Sequence, residues 1–97
     1  MLNIINQVFE IEQKLKARGE SSVDRNLKRI YHELDELGYK VIDPIDRPYK
    51  ETDTDIEASV AGNFNDNMKV SRVLKPIIYR IADSRNELLQ KGIVLVE

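Results

Sequence analysis

Leu34-Asp35-Glu36-Leu37-Gly38-Tyr39-Lys40-Val41-Ile42-Asp43-Pro44-Ile45 is the stretch in which the chain changes its periodicity. Before it, apolar residues recur at helical spacing, and after it they occur in short β-branched runs. Gly38 can adopt the left-handed conformation that closes a helix, and Pro44 prevents a return to helix because its ring fixes φ and it has no N–H. The sequence therefore predicts an α+β fold, with a helical module over residues 1–38 and a small, mainly antiparallel β-domain over residues 39–97.

Two amphipathic helices are predicted in the helical module. The first ends near Arg18, with Gly19 beyond its last turn, and Leu2, Ile5 and Phe9 widen its apolar stripe. The second is capped by Ser21 or Ser22 and ends at Gly38. The short loop between them predicts an antiparallel helical hairpin.

The apolar stripes of these helices are wider than one partner helix can cover. We therefore expect a homodimer in which two hairpins form a four-helix bundle, so that residues 1–38 are the dimerisation module. The residues predicted to form this contact are Ile4, Val8, Ile11, Leu15, Leu27, Ile30 and Leu34.

Short strands are predicted after Gly38. They cover Tyr39–Ile42, Ile56–Ala61 and Lys69–Lys75, and the third resumes after an interruption at Pro76. Residues 82–86 are expected to connect a hairpin, and a last strand includes Leu88, Leu89 and Ile93–Val96, with a bulge at Gly92. Together these strands predict one compact sheet of about four to six strands.

Composition excludes several functional classes. The net charge of -2 is spread evenly, so there is no basic footprint for nucleic acid. The absence of cysteine excludes disulfides and thiolate metal sites, and it fits a reducing cytoplasm. The N-terminus has neither a basic leader nor a long apolar run, so we expect no signal peptide and no membrane contact.

Glu51, Asp53, Asp55 and Glu57 alternate with Thr52, Thr54 and Ile56. On a strand, the four carboxylates would share one face and could hold a hard cation, as a metal-dependent enzyme would need. The spacing does not match an EF-hand loop, because in a loop that begins at Asp53 the sixth position, where the turn glycine belongs, is Ala58. A solvated acidic edge that disfavours strand pairing is the preferred interpretation.

Other chemistry-bearing residues lack partners. His32 is the single histidine and lies off the apolar stripe of the second helix, where an exposed position is expected. Ser71 and Ser84 have no base partner, and the scattered glycines form no phosphate loop. We therefore expect an interaction protein that is not an enzyme and that needs no cofactor.

The order of elements and motifs resembles the GrpE family, the nucleotide exchange factors of DnaK-type chaperones. A helix ending in Leu37-Gly38-Tyr39 is followed by Val41-Ile42-Asp43-Pro44-Ile45 and then by Pro48-Tyr49. Further motifs follow in the same order along nearly the whole chain: Glu57-Ala58, Val70, Val73-Leu74, Tyr79, Leu88-Leu89 and Ile93-Val94-Leu95-Val96.

This resemblance implies a parallel dimer with a small β-domain projecting from each helical hairpin, and the β-domain would bind the nucleotide-binding domain of a DnaK-type chaperone. Binding the open form of that domain would promote release of ADP. Under this hypothesis the partner-binding residues are Arg80, Arg85, Glu87 and Val96, with Glu57 as a weaker candidate. For Val96, packing within the strand is an equal alternative.

The chain also departs from the family pattern. Its first helix matches only the end of the family's long stalk helix, which in the family helps to recognise the chaperone. Ile56 stands where the family usually has histidine, and Pro76-Ile77-Ile78 stands where the family has a glycine before Tyr79. Before the last strand, Gln90-Lys91-Gly92 replaces the family's Arg-Pro-Ala-like step. These departures keep open an alternative function, a GrpE-like dimeric adaptor without exchange activity.

Overall fold

The computed structural model describes residues 1–97, which form two helices and six strands. Helix α1 spans Leu2–Ala17 and α2 spans Asp24–Glu36. The strands are β1 (Tyr39–Ile42), β2 (Ile56–Val60), β3 (Val70–Lys75), β4 (Ile77–Ala82), β5 (Arg85–Gln90) and β6 (Gly92–Val96). The predicted α+β class, with two helices before a mostly antiparallel β region, is confirmed. Both helices are too short or too polar to cross a bilayer.

Gly38 ends α2 and ties it to the β region. Its φ is +89°, its N–H donates to the carbonyl of Asp35 (2.9 Å), and its own carbonyl accepts from the N–H of Ile81 (2.8 Å). A Cβ at this position would lie 2.9 Å from the carbonyl oxygen of Ile81. The residue must therefore be glycine for two reasons, the left-handed backbone and the close approach of β4.

The start of α2 differs from the prediction. Val23 occupies the N-cap, and no side chain caps the helix, so the prediction of a Ser21 or Ser22 cap is wrong. The N–H of Ser22 instead donates to Glu20 Oε1 (2.8 Å), which holds the loop in a local turn.

The strands form two three-stranded sheets, so the prediction of one sheet is wrong. Sheet 1 has the order β1-β4-β5, and sheet 2 has the order β2-β6-β3. All pairings are antiparallel except the parallel pair of β2 with β6. The run β3–β4 and the run β5–β6 are the two arms of one bent hairpin, which crosses both sheets.

The bend lies where Pro76 separates β3 from β4 and Lys91 separates β5 from β6. Proline cannot donate to a ladder, so the pairing breaks there. Gly92 is buried, and a Cβ on it would lie 3.0 Å from Ile77 Cγ1 and 3.3 Å from Ile56 Cγ2. The predicted single last strand is therefore two strands, β5 and β6.

Two small cores hold the structure together. The core of sheet 2 consists of Ile56, Met68, Val70, Ile77, Val94 and Val96. The second core joins Ile5 of α1, Leu34 of α2 and Ile78 of β4. Helix α2 also packs on β1, and α1 packs on β3, so each helix is attached to the β region of its own chain.

Polar contacts reinforce the attachment of α1. The side-chain amides of Asn6 and Gln90 exchange two hydrogen bonds of 2.8 Å, and Gln90 also donates to the carbonyl of Pro76 (2.8 Å). The hydroxyl of Tyr31 donates to Glu12 Oε1 (3.1 Å) and joins the two helices. Burial and the nearby Glu12 charge raise the pKa of Tyr31. Tyr31 is therefore a neutral donor at physiological pH.

The acidic run 51–57 is mostly not a strand. Residues 51–55 lie outside any strand, and of this run only Ile56 and Glu57 belong to β2, so the four carboxylates do not share the strand face that the disfavoured cation site would have needed. Arg47 binds Asp55 through both Nη atoms (3.0 and 2.6 Å) and lies 3.6 Å from Asp53. The Arg47 guanidinium holds the pKa of Asp55 below its usual range. This pair closes the loop that leads into β2.

We predict that Gly38→Ala destabilises the protein by at least about 2 kcal/mol, because it adds both backbone strain and a steric clash. Gly19→Ala is the matched control: its φ is +67°, but nothing lies within 4 Å of the added Cβ. We expect that control to cost only about 1 kcal/mol. Urea unfolding of both variants measures the difference, and equal costs would contradict the close contact with β4.

Asp55→Asn is predicted to lower the free energy of unfolding by about 1 kcal/mol at pH 7, since the ion pair is partly exposed. The folded pKa of Asp55 lies below the unfolded value of about 3.9, so its stabilisation is present above that value. It is lost as the pH falls through the folded pKa. Urea unfolding at several pH values should therefore show the difference from wild type shrinking in acid. As a control, Glu51→Gln, at an exposed position without an ion pair, should change the free energy of unfolding little. If the destabilisation by Asp55→Asn did not depend on pH, the ion pair with Arg47 would be refuted.

Candidate functional site

The tip of the β4–β5 hairpin is an exposed part of the β region in which charged residues cluster. Asp83 and Ser84 form its two-residue turn, with φ values of 50° and 64°. Positive φ at both central residues gives the turn a twist that matches the flanking strands. The hairpin is therefore tight, and it places the side chains on both arms at fixed positions.

Three of the five predicted partner-binding residues meet at this tip. Arg80 stands opposite Glu87 in the β4–β5 register, and Ala82 stands opposite Arg85. They surround an open depression of about 550 Å³, which is lined by Arg80, Ala82, Asp83, Arg85, Asn86 and Glu87. We name this set the hairpin-tip surface.

Tyr39 positions Arg80 on this surface. Arg80 Nη1 donates to the Tyr39 hydroxyl (2.7 Å), and its Cζ lies 5.0 Å from the centre of the Tyr39 ring. Tyr39 in turn packs against the core of Ile5, Leu34 and Ile78. The guanidinium is therefore held in place by the same core that attaches the helices. Sequence reasoning missed this role of Tyr39, because only the β1–β4 register places it opposite Arg80.

Apart from the contact of Arg80 with Tyr39, the charged side chains predicted to bind a partner at the hairpin-tip surface have no charged partner within the chain. Arg80, Arg85 and Glu87 are exposed, and none of them forms an ion pair. A partner that presents complementary charges would gain contacts here without breaking internal ones. The arrangement is suited to recognition of a protein surface.

The other two predicted partner-binding residues lie apart from the tip, on sheet 2. Val96 is 0% exposed and belongs to the core of that sheet, which is the packing role left open by the sequence. Its side chain is not available to a partner in this fold. Glu57 is exposed on β2, opposite Ile93 of β6.

The predicted dimerisation residues fall into two groups. Ile4, Ile11 and Ile30 are 61%, 51% and 40% exposed, whereas Leu27 and Leu34 are buried within the chain. Val8 and Leu15 are half-buried. On α1 the inward stripe consists of Ile5 and Phe9, which the sequence suggested only as a widening of the seam. The predicted stripe of Ile4, Val8, Ile11 and Leu15, a seam with 4-3-4 spacing along α1, faces mainly outward.

Residues considered for chemistry are dispersed. His32 is exposed, with Nε2 3.6 Å from Glu36 Oε1. No group of three or more histidine or acidic side chains is arranged to hold a metal ion. Asp53 and Asp55, the centre of the acidic run, are oriented toward Arg47. The acidic run therefore has a structural role in this fold.

Comparison of the chain with known protein families, curated proteins and solved structures found no match. The GrpE resemblance consequently depends on the motifs in the sequence, and any function must be argued from the surfaces described above.

Proposed function

We propose that this protein is a GrpE-like co-chaperone that promotes ADP release from a DnaK-type chaperone. One observation carries the proposal: the hairpin-tip surface gathers Arg80, Arg85 and Glu87, exposed and without ion pairs. These are three of the five residues that the sequence resemblance selects. The quoted motifs support the choice of a chaperone as the partner.

In this mechanism the protein does no covalent chemistry. The hairpin-tip surface binds the nucleotide-binding domain of the chaperone more tightly when its cleft is open. Binding shifts the population toward the open form, from which ADP dissociates. Only the difference in affinity between open and closed forms can produce this effect, and a coupling of 1–3 kcal/mol corresponds to about 5- to 150-fold.

The tight turn and the Tyr39 contact support a preorganised surface. Arg80 is already held by Tyr39 through a 2.7 Å hydrogen bond, so less side-chain entropy is lost when a partner binds it. Arg85 and Glu87 lie on the adjacent arm of the same hairpin.

The proposed assembly is a homodimer formed by the outward faces of the helices. Ile4 and Ile11 expose an apolar stripe on α1, and Ile30 with Leu37 exposes another on α2. The depression of about 300 Å³ beside Ile30 and Leu37 provides a recess for a partner side chain. Complete burial of a fully exposed side chain of this kind contributes about 1.5–3 kcal/mol, and these residues, which are 40–61% exposed, would contribute about half of that each.

One observation favours a second function, a dimeric adaptor without exchange activity. Ile56, at the position where the GrpE family usually has histidine, is buried in the core of sheet 2. It presents no polar group to a chaperone. An adaptor would use the same dimer and the same hairpin tip but would leave ADP release unchanged.

We predict that the protein accelerates release of a fluorescent ADP analogue from its cognate DnaK-type chaperone by about 5- to 150-fold. Arg85→Glu should reduce this acceleration about tenfold, equivalent to about 1.4 kcal/mol, because it reverses one recognition charge. Arg25→Glu, an exposed charge reversal on α2, is the matched control and should leave the rate unchanged. Failure to accelerate release would refute the exchange function, and binding without acceleration would support the adaptor.

The dimer makes a separate prediction. Sedimentation equilibrium should give the mass of two chains, and Ile11→Glu should give one chain with unchanged helical circular dichroism, because Ile11 is exposed within the subunit. Asn3→Glu, also exposed on α1 but about 100° round the helix from Ile4, serves as the control and should remain dimeric. A wild-type protein that is monomeric at about 1 mM, the range of weak contacts, would contradict the proposed assembly.

A further inference from the structure

The outer edge of β3 is only partly covered. Strand β3 lies at the edge of sheet 2. The Asp46 N–H donates to the Val70 carbonyl and the Val70 N–H donates to the Arg47 carbonyl, both at 2.9 Å. No hydrogen bond from outside the sheet reaches the main chain of residues 71–75. The rest of the strand therefore has free main-chain donors and acceptors on that side. Because the ladder of β3 with β6 shifts register between Val70 and Arg72 and again between Val73 and Lys75, this edge suits a short added segment and not a long regular strand.

This open edge lies beside an apolar groove. The groove, of about 610 Å³, runs between α1 and β3, and its lining includes Phe9, Ile45, Val73 and Leu74. Ile45 and Leu74 are 45% and 48% exposed. In an extended peptide, successive side chains point to opposite faces. A strand added at this edge would place alternate side chains against these apolar residues.

A polar group in the groove lacks a partner. Gln13 of α1 lines the groove, and its Nε2 is buried without a hydrogen bond. An unsatisfied buried donor costs about 1–3 kcal/mol. The side chain as a whole is only partly buried, so a rotation of Gln13 toward the groove would let this donor meet a carbonyl or carboxylate oxygen of an incoming peptide.

The charged side chains beside the groove favour a segment with acidic side chains. Arg72 and Lys75 on β3 are exposed and form no ion pair. Antiparallel pairing of β3 with β3 of a second copy would bring these like charges together, which is unfavourable. A segment with acidic side chains would meet them favourably.

We propose that this groove binds an extended segment of a partner protein in which apolar and acidic side chains alternate, added as a strand to the outer edge of β3. The segment hydrogen-bonds to residues 71–75, places its apolar side chains against Ile45 and Leu74, and directs its carboxylates toward Arg72 and Lys75. This site is separate from the hairpin-tip surface, and its test requires no chaperone.

The probe is a fluorescein-labelled seven-residue peptide with valine at alternate positions and glutamate between them. Fluorescence anisotropy should give a dissociation constant of about 100 μM or tighter. Arg72→Glu should weaken binding at least about tenfold, and Lys40→Glu, on the edge strand β1 of sheet 1, should leave it unchanged. Gln13→Leu should weaken binding while leaving the unfolding midpoint unchanged or higher, because it removes the unsatisfied amide.

Two peptide controls complete the test. A peptide with lysine in place of glutamate should bind more weakly. Alternate amides can be N-methylated in two ways, at the odd or at the even positions, and at least one of these two peptides should not bind, because it lacks the N–H groups that face β3. Absence of binding at about 1 mM, equal binding of the lysine peptide, or insensitivity to N-methylation would overturn the proposal. If sedimentation shows an increase in mass that depends on Arg72, the edge of β3 binds a second copy of this chain, and that result would also overturn the proposal.

Discussion

The burial of Ile5, Leu34 and Ile78 against one another is the interaction on which the rest of the structure depends. These three side chains come from α1, α2 and β4, and no two of them are close in sequence. Their contact attaches both helices to sheet 1. It also decides which helical faces remain outside: Ile5 and Phe9 are turned inward, so Ile4 and Ile11 are exposed. The apolar surface available for a dimer is thus a consequence of this core.

The same core determines how the β region presents its surfaces. Tyr39 packs against it and holds Arg80, while the backbone of Gly38 pairs with Ile81 on the adjacent strand. The bend at Pro76 and Gly92 then separates sheet 2 from the hairpin tip. One bent hairpin therefore carries two different surfaces, a charged turn at its end and an open strand edge beyond the bend. Because they lie on different sheets, the two could bind different partners.

Local signals in the sequence were sufficient for the ends of the helices and the first strand. Gly38 and Pro44 act through their own backbone conformations, so α2 ends and β1 begins where predicted. The division into two sheets was not predictable in this way, because the packing of Gly92 against Ile77 and Ile56 joins distant residues. The inward face of α1 was ambiguous, since Leu2, Ile5 and Phe9 offer a second stripe beside the 4-3-4 seam. Likewise, the acidic run gave no sign that Arg47 would bind Asp55.

The candidate site was predictable only as a set of residues. The sequence resemblance selected Arg80, Arg85 and Glu87, but their convergence depends on the β4–β5 register, which the structure supplies. The most direct test is amide NMR of the labelled protein on addition of the nucleotide-binding domain of a DnaK-type chaperone. Binding through the hairpin-tip surface should give shift changes concentrated at residues 80–87 and small changes in α1 and α2. Changes confined to the helices, or none at all, would contradict it.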